Sequence, residues 1–403
     1  MAKVFPFKGI RPSRDKANLV TTRSYLTYSD EILKEKLDNN PFTFLHILNP
    51  EYKKSIKKSG IQKFKLIKNK FLSFINLEIL IKEKNDVFYI YQQKTDLRRV
   101  TGIIAATSIK EYQNDKIKKH EETILERENM FKEYLIETKF NADPVLLTHK
   151  KNEEIDSIIN QYSRERSEYE FTTTDRISHK LWVVESKKNI QIIQNAFHKS
   201  NELYIADGHH RSASSSLLSN ESDLKGKDFF MSFLVDEEQI EIFNFNRLIK
   251  NIDNQSTNEI IDLIGKKCSI KKIENNQHIP TEKDEISMYI DKCWYSIKFD
   301  KIKNSNNLVK TLDPALLFDN ILEPVFNIKD ERKDKNLEFI DGKRPLNELQ
   351  ELVDSEQYSI LFILKPISIH QIKEVADNKQ SMPPKSTYIE PKLRSGLIIY
   401  EIE

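Results

Sequence analysis

Residues 204–215 read YIADGHHRSASS. An apolar run reaches a glycine and leaves as a serine-rich stretch with Ala213, Leu217 and Leu218 at helical spacing. The pattern predicts a strand, a tight turn and a helix, with Gly208 at or next to the helix start. The chain has only 8 glycines and 9 histidines in 403 residues, and three of these fall side by side here. A helix start leaves several backbone N–H groups without intrahelical acceptors and carries the positive end of the helix dipole. It is therefore a natural anion site. Gly208 lets the backbone approach an anion closely, and Arg211 can fork onto a phosphate or carboxylate. Ser212, Ala213, Ser214 and Ser215 leave room and offer hydroxyl donors. Asp207 stands where a general base or a Mg²⁺ ligand is useful, and His209 or His210 can donate to a phosphate oxygen. Four bulky polar groups directly after an apolar strand are costly to bury without partners, which favours function over decoration. Adjacent histidines are a poor chelate, so zinc is disfavoured.

Around this motif the texture is α+β, a mixed sheet built largely of hairpins with flanking helices. Helices are expected at 30–40 (capped by Ser29, with Ile32, Leu33 and Leu37 on one face), 61–83, 110–140, 151–168 and 189–199. FTFLHIL at 42–48 reads as a buried strand. DVFYIYQQKT and RVTGIIAATSI read as a hairpin, as do YEFTTTDRISHKLWVVES around Thr174–Asp175 and SMYIDKCWYSIKF around Asp291–Lys292. FFMSFLVD and QIEIFNFNRLI read as a further hairpin turned at 236–238, and SILFIL, SIHQIKEVADNK and GLIIYEI as a β-α-β series. A polar, breaker-rich stretch near 251 suggests two regions, 1–250 carrying the motif and 251–403. The last segment, 380–403, is a candidate to pack back on the first region.

Lys and Arg total 64 against 62 Asp and Glu, a balance that argues against a nucleic-acid-coating protein. The two cysteines, Cys268 and Cys293, have no zinc spacing. The opening MAKVFPFKGIRPSRDK has no apolar signal core, and no stretch approaches the ~18–20 apolar residues of a membrane span. A cytoplasmic protein is the expectation.

Other stretches offer candidates beside ordinary alternatives. PFKGIRP sets Lys8 and Arg11 around Gly9 as an anion clamp or a surface loop. IKKHEETI offers Lys119, His120 and Glu121, with His120 facing solvent or a cleft if the segment is helical. MPPKSTYIEPKLRSG groups Lys385, Ser386 and Thr387, followed by Lys392 and Arg394, in a patternless loop that either contacts phosphate or straps the regions together. Asp175 and His179 would share one side of an extended hairpin, where turn solvation is the ordinary reading.

DGHHR between a strand and a helix resembles the motif of the ParB-like and sulfiredoxin-like nucleotide-binding fold. In that fold the turn binds nucleotide phosphates. Free serine kinases, which make O-phosphoserine, carry a similar string. Over its length the chain resembles the bacterial domain of unknown function family 1015, through PFKGIRP, NPFTFLHILNPE, IKKHEETI, YEFTTTDRISHKLW, FNRLIK and MPPKSTYIEPKLRSGL. Sulfiredoxin chemistry needs a cysteine where this chain has His209, so reduction of an oxidised cysteine is excluded. A proline-tyrosine-aspartate string common near residue 25 in that family is replaced by LVTTRSYLTYSDE.

The resemblance and the residues together imply a small-molecule kinase, most specifically a free L-serine kinase. Gly208, Arg211, Ser212, Lys8, Arg11, Lys385, Ser386, Thr387 and Arg394 would bind a nucleotide or pyrophosphate donor. Asp207, His209, His210 and Glu121 would act on the acceptor, with Mg²⁺ as cofactor. The alternative is a non-catalytic, nucleotide-binding regulatory protein of ParB-like fold. Expected partners are a small substrate and a nucleotide, with no nucleic acid, no membrane and a homodimer left open.

Overall fold

The computed structural model describes residues 2–24, 27–200, 202–253, 255–274, 277–299 and 307–403. Tyr25 and Leu26, within the segment that replaces the family string, lie outside the described residues. The chain divides into two compact units. The first comprises 1–119, 123–240 and 391–403, and the second 120–122 and 241–390. Position 250, expected as the end of the first region, falls within the second unit. Of the 380–403 segment, only 391–403 belongs to the first unit.

The first unit is α+β around a nine-stranded mixed sheet. Its strands are β1 (Val4–Phe5), β2 (Phe88–Lys94), β3 (Arg99–Ser108), β4 (Ile117–Lys118), β5 (Val145–His149), β6 (Tyr169–Thr172), β7 (Ser178–Val184), β8 (Leu203–Asp207) and β9 (Phe229–Asp236). Their order is β4-β8-β5-β9-β3-β2-β7-β6, with β1 on β3. β8 runs parallel to β4, and β9 parallel to β5. The hairpins expected at 88–108 and 169–184 both form. Strands β5 and β8 are buried along almost their whole length. Helices α1 (Glu153–Ser163) and α2 (Lys187–Lys199) cover one face, contributing Ile155, Ile158, Ile193, Ala196 and Phe197 to a core with Trp182, Leu203 and Ile205. A second core joins Phe44, Phe71, Phe74 and Phe140.

Several expectations are overturned by packing. FTFLHIL is no strand: Leu45–Leu48 is a single helical turn, with Phe44, Leu45 and Ile47 fully buried. A short apolar run has no period of its own to separate strand from buried helix. In the helix Asp30–Asn39, Ser29 does cap, but only Leu37 is buried and Ile32 is 46% exposed. The helix expected over 110–140 is interrupted by β4, leaving Ile109–Gln113 and Leu125–Thr138. The FFMSFLVD–QIEIFNFNRLI hairpin does not form, because β9 is held between β3 and β5 and the following strands belong to the second unit. The C-terminal β-α-β series does not form either: Ile360–Leu364 lies in the second unit, while Tyr400–Glu401 pairs with Phe140–Asn141 in the first.

The second unit carries a six-stranded antiparallel sheet ordered Ser269–Ile273, Cys293–Lys298, Glu285–Ile290, Ile360–Leu364, Phe245–Ile249 and Leu337–Asp341. The Asp291–Lys292 turn has positive φ at both residues (48° and 57°), the hairpin geometry that matches strand twist. A short ribbon pairs Glu241–Phe243 with Tyr388–Glu390, so part of the patternless C-terminal loop is a strand. Cys268 and Cys293 are both free thiols. Among the described residues no helix is long and apolar enough to cross a membrane.

Candidate functional site

Strand β8 does not run evenly into the turn. Ile205 faces Leu147 on β5, but Asp207 faces Leu146, so Ala206 is an extra residue. A bulge of this kind re-aims the side chains beyond it. It leaves Asp207 with 41% of its side chain exposed at the end of a strand whose preceding residues are buried. Gly208 then takes φ 104°, a conformation that side chains with a Cβ resist, and caps helix α3 (His209–Glu221). A Cβ at Gly208 would lie 3.1 Å from the Arg211 guanidinium.

Asp207 is set between two cations. Arg211 Nη2 donates to its carboxylate at 3.3 Å, one helical turn on, and Lys392 Nζ lies 3.7 Å away. Burial pushes the Asp207 carboxyl up, but the charges of Lys392 and Arg211 outweigh it and hold the group below its usual range. His209 is 5% exposed. Burial, helped by the charges of His210, Lys119 and Arg211 against the opposing pull of Asp207, brings it down to about 3. It is a neutral imidazole at physiological pH.

The sequence expectation for Arg211 needs correction. Its guanidinium does not stand open for a phosphate, because Nη1 donates to the Pro144 carbonyl while Nη2 holds Asp207. The serine hydroxyls are likewise committed. Ser212 donates to the His209 carbonyl at 3.0 Å, Ser214 to His210 and Ser215 to Arg211 at 2.9 Å. A buried serine inside a helix satisfies itself on the preceding turn. Small size, rather than hydrogen-bonding capacity, is what these positions contribute.

Lys392 comes from the C-terminal segment, which threads the first unit. Its carbonyl accepts from Gln93 Nε2 at 3.0 Å. Arg394 Nη2 reaches both oxygens of Asp175, at 2.8 and 2.9 Å, and Thr173 Oγ1 at 2.8 Å. Ser395 and Thr22 exchange backbone hydrogen bonds, and Ser395 Oγ donates to Asp143. Arg23 adds a second guanidinium on Asp175, with Nε at 2.9 Å. Asp175 is therefore no solvated turn residue. Burial raises its carboxyl, but the Thr173 hydroxyl and the two arginines bring it down to about 2. Thr173 also meets His179 Nε2 at 3.2 Å, and His179 Nδ1 meets the Tyr91 hydroxyl at 2.8 Å. His179 stacks against Phe171 and Tyr91 and is pushed down to about 3 by burial and then by Arg394.

Of the expected anion ligands, Arg394 is a partner of Asp175. Arg11 is taken as well: Glu83, Glu168 at 3.0 Å and the Tyr169 hydroxyl at 2.8 Å fill its guanidinium. Lys8 is exposed. Lys119 lies over the Tyr112 ring, 5.4 Å from its centroid. His120 is not solvent-facing on a helix; it follows β4 in a loop, is 1% exposed, and its carbonyl accepts from Met382. Glu121, next to it, is half-buried. In the second unit, Lys385 rests on the Phe245 ring, 5.0 Å from its centroid, Ser386 is buried and donates to the Pro383 carbonyl at 2.7 Å, and Thr387 is half-buried. Lys392 and Asp175 carry only faint marks in the sequence, a lysine and an arginine two apart in a proline-stiffened loop and an acid in a turn of threonines.

No curated protein matches the sequence. Among solved structures, a free serine kinase in complex with AMP is 12% identical with TM-score 0.39, covering 75% of this chain and 91% of that one. A variant of a free serine kinase in complex with ADP gives 12% and 0.40, with 75% and 92% covered. A conserved hypothetical protein from Pyrococcus furiosus gives 13% and 0.38, with 74% and 95% covered. The family profile described as "Protein of unknown function (DUF1015)" matches residues 4–315, most of the sequence, and the chain belongs to that family.

Proposed function

We propose that this protein is a phosphotransferase acting on a small hydroxy compound, with free L-serine as the acceptor and a nucleotide or pyrophosphate as the donor. The reading rests on one observation: an ionised, part-exposed carboxylate, Asp207, stands at the start of α3 beside Lys392 and Arg211. Phosphoryl transfer asks for little covalent chemistry from a protein; it asks for held phosphates, neutralised charge and an oriented acceptor hydroxyl. Asp207 orients the serine hydroxyl and takes its proton as the oxygen bonds to the terminal phosphorus and the P–O bond to the leaving group breaks, releasing a nucleoside diphosphate, a nucleoside monophosphate or phosphate according to the donor. Lys392 and the positive end of α3 face the transferred group. Arg211 holds Asp207, and neutral His209 offers a single N–H. The ParB/sulfiredoxin-like reading of the first unit is part of the same proposal, supported by the strand–glycine–helix turn.

A dedicated magnesium ion asks for several oxygen ligands in octahedral geometry. Asp207, already facing two cations, does not fit that need, and no step here is routed through the metal.

The test is a screen of ATP, ADP and pyrophosphate, each with L-serine and other hydroxy compounds and Mg²⁺ present, read as phosphoserine or its analogue by mass spectrometry. Asp207→Asn should abolish product while circular dichroism stays native. Nucleotide binding without turnover across the whole screen would favour the non-catalytic regulatory reading instead.

A further inference from the structure

The first unit has an open cleft of about 430 Å³ whose walls share no residue with the Asp207 turn. It is lined by Arg14 and Asn18 on one side and by residues 166–171, leading into β6, on the other. Two acids, Glu168 and Glu170, and two arginines, Arg14 and Arg166, stand in these walls. Each acid also meets a cation from outside the cleft, although Arg11 is shared between Glu168 and Glu83. Glu168 accepts from Arg11 at 3.0 Å, and Glu170 pairs with Lys180, its neighbour across the β6–β7 ladder, at 2.8 Å. The arginines are not balanced. Arg14 spends one N–H on the Ser167 carbonyl, at 3.3 Å, and among the described residues Arg166 enters no ion pair. A guanidinium carries five donors in a planar fork, so most of this donor capacity remains open.

Strand β6 ends the sheet. Thr173 N–H bonds the Ile177 carbonyl, so by the alternation of an antiparallel ladder Phe171 bonds β7 while the peptide groups of Glu170 and Thr172 point outward; the alternation breaks at Glu168, whose N–H bonds the Leu181 carbonyl at 2.7 Å. The Glu170 N–H thus adds a main-chain donor on the open edge. The cleft volume lies within the range of small-ligand sites.

We propose that this cleft binds a small dianion, either a phosphate monoester or a short dicarboxylate, through the forks of Arg14 and Arg166. This goes beyond the phosphotransferase reading and does not depend on it.

The test uses the full chain, titrated separately with inorganic phosphate and with succinate by calorimetry and thermal shift. Arg14→Ala/Arg166→Ala should weaken binding of the preferred anion at least tenfold. Arg14→Lys/Arg166→Lys, which keeps charge but loses the fork, should give a smaller loss. Arg164→Ala, an exposed arginine outside the lining, should leave it unchanged. The anion that responds identifies the ligand class. The proposal is overturned if neither anion binds, if the double alanine variant binds like the parent, or if Arg164→Ala weakens binding equally. It is also overturned if the loss follows Arg211→Ala alone, which would move the anion to the Asp207 turn. Unchanged melting temperatures in the absence of anion exclude misfolding as the cause.

Discussion

Arg394 and Asp175 are 219 residues apart, and the Nη2 of one lies 2.8 and 2.9 Å from the two carboxylate oxygens of the other. The pair ties the C-terminal segment to the turn between β6 and β7. Both side chains are largely buried, at 8% and 15% exposure. Removing one partner of such a pair leaves the other charge without compensation in a poorly hydrated place. Asp175→Ala should therefore lower stability by about 3 kcal/mol, measured by urea denaturation. Lysing open this tie should also release Lys392, so limited proteolysis near residue 392 should accelerate. The Asp175 carboxyl sits near about 2 in the fold, below its ordinary value. Its contribution is thus present above the unfolded-state value and is lost as pH falls through the folded one, and Asp175→Ala should flatten that acid limb.

His179 and His209 impose a second acid dependence with a higher window. Both are brought down to about 3, chiefly by burial. Between that value and the ordinary histidine value near 6.5, the unfolded chain binds two protons that the folded chain refuses. Stability should therefore fall with decreasing pH across this window, by about 1.4 kcal/mol per pH unit for each histidine. Urea midpoints measured from pH 7 to pH 4 should show the slope, and His179→Gln should remove one proton's share of it. An identical slope in the variant would refute the assignment.

The second unit contains a different kind of pair. Arg247 is fully buried, with its Nε 3.7 Å from Glu331, and its guanidinium lies 5.0 Å from the centroid of Phe339. Burial pulls the Arg247 pKa down and pushes the Glu331 pKa up, each against the attraction of the other. Both charges are therefore poorly compensated, and the pair is a weak source of stability. Glu331→Ala should cost about 3–5 kcal/mol, while Arg247→Met with Glu331→Leu should cost much less or nothing. A double-mutant cycle by urea denaturation separates the two outcomes.

What the sequence made legible follows from range. The strand–glycine–helix turn, the 88–108 and 169–184 hairpins and the Asp291–Lys292 turn are local, and their residues carry the signal. The pairing of β9 is not local: FFMSFLVD is equally suited to the hairpin that was expected and to the slot between β3 and β5. Nothing within FTFLHIL distinguishes a buried strand from a buried helical turn. The site divides the same way. Gly208 and Asp207 announce themselves by type and position, whereas Arg211 and Arg394 look like phosphate ligands until their internal acceptors, Pro144 and Asp175, are placed beside them. The bulge at Ala206 leaves no mark in the sequence, because one extra residue in a buried strand is read only against its partner.

Gly208 tests whether the turn's backbone is needed. At φ 104° a Cβ is disfavoured, and it would also approach the Arg211 guanidinium to 3.1 Å. Gly208→Ala should destabilise by about 1–3 kcal/mol and loosen the hold of Arg211 on Asp207. Thermal melts give the first quantity. A drop in product formation larger than the loss of folded protein gives the second.

Lys392 tests the electrostatics that the functional proposal needs. Burial alone would raise the Asp207 carboxyl, and it is the nearby charges, Lys392 first and Arg211 second, that keep it low. Lys392→Met removes the larger of the two and keeps much of the side chain's length. The Asp207 carboxyl should then titrate at higher pH, visible as a shift of its side-chain carbon resonance when compared with Asp207→Asn. If the carboxylate is the base, the acid limb of phosphoserine formation should move up in pH by the same amount, since the ionised fraction at a given pH falls. A shifted resonance with an unmoved activity profile would leave the electrostatic description standing and remove Asp207 from the role of base.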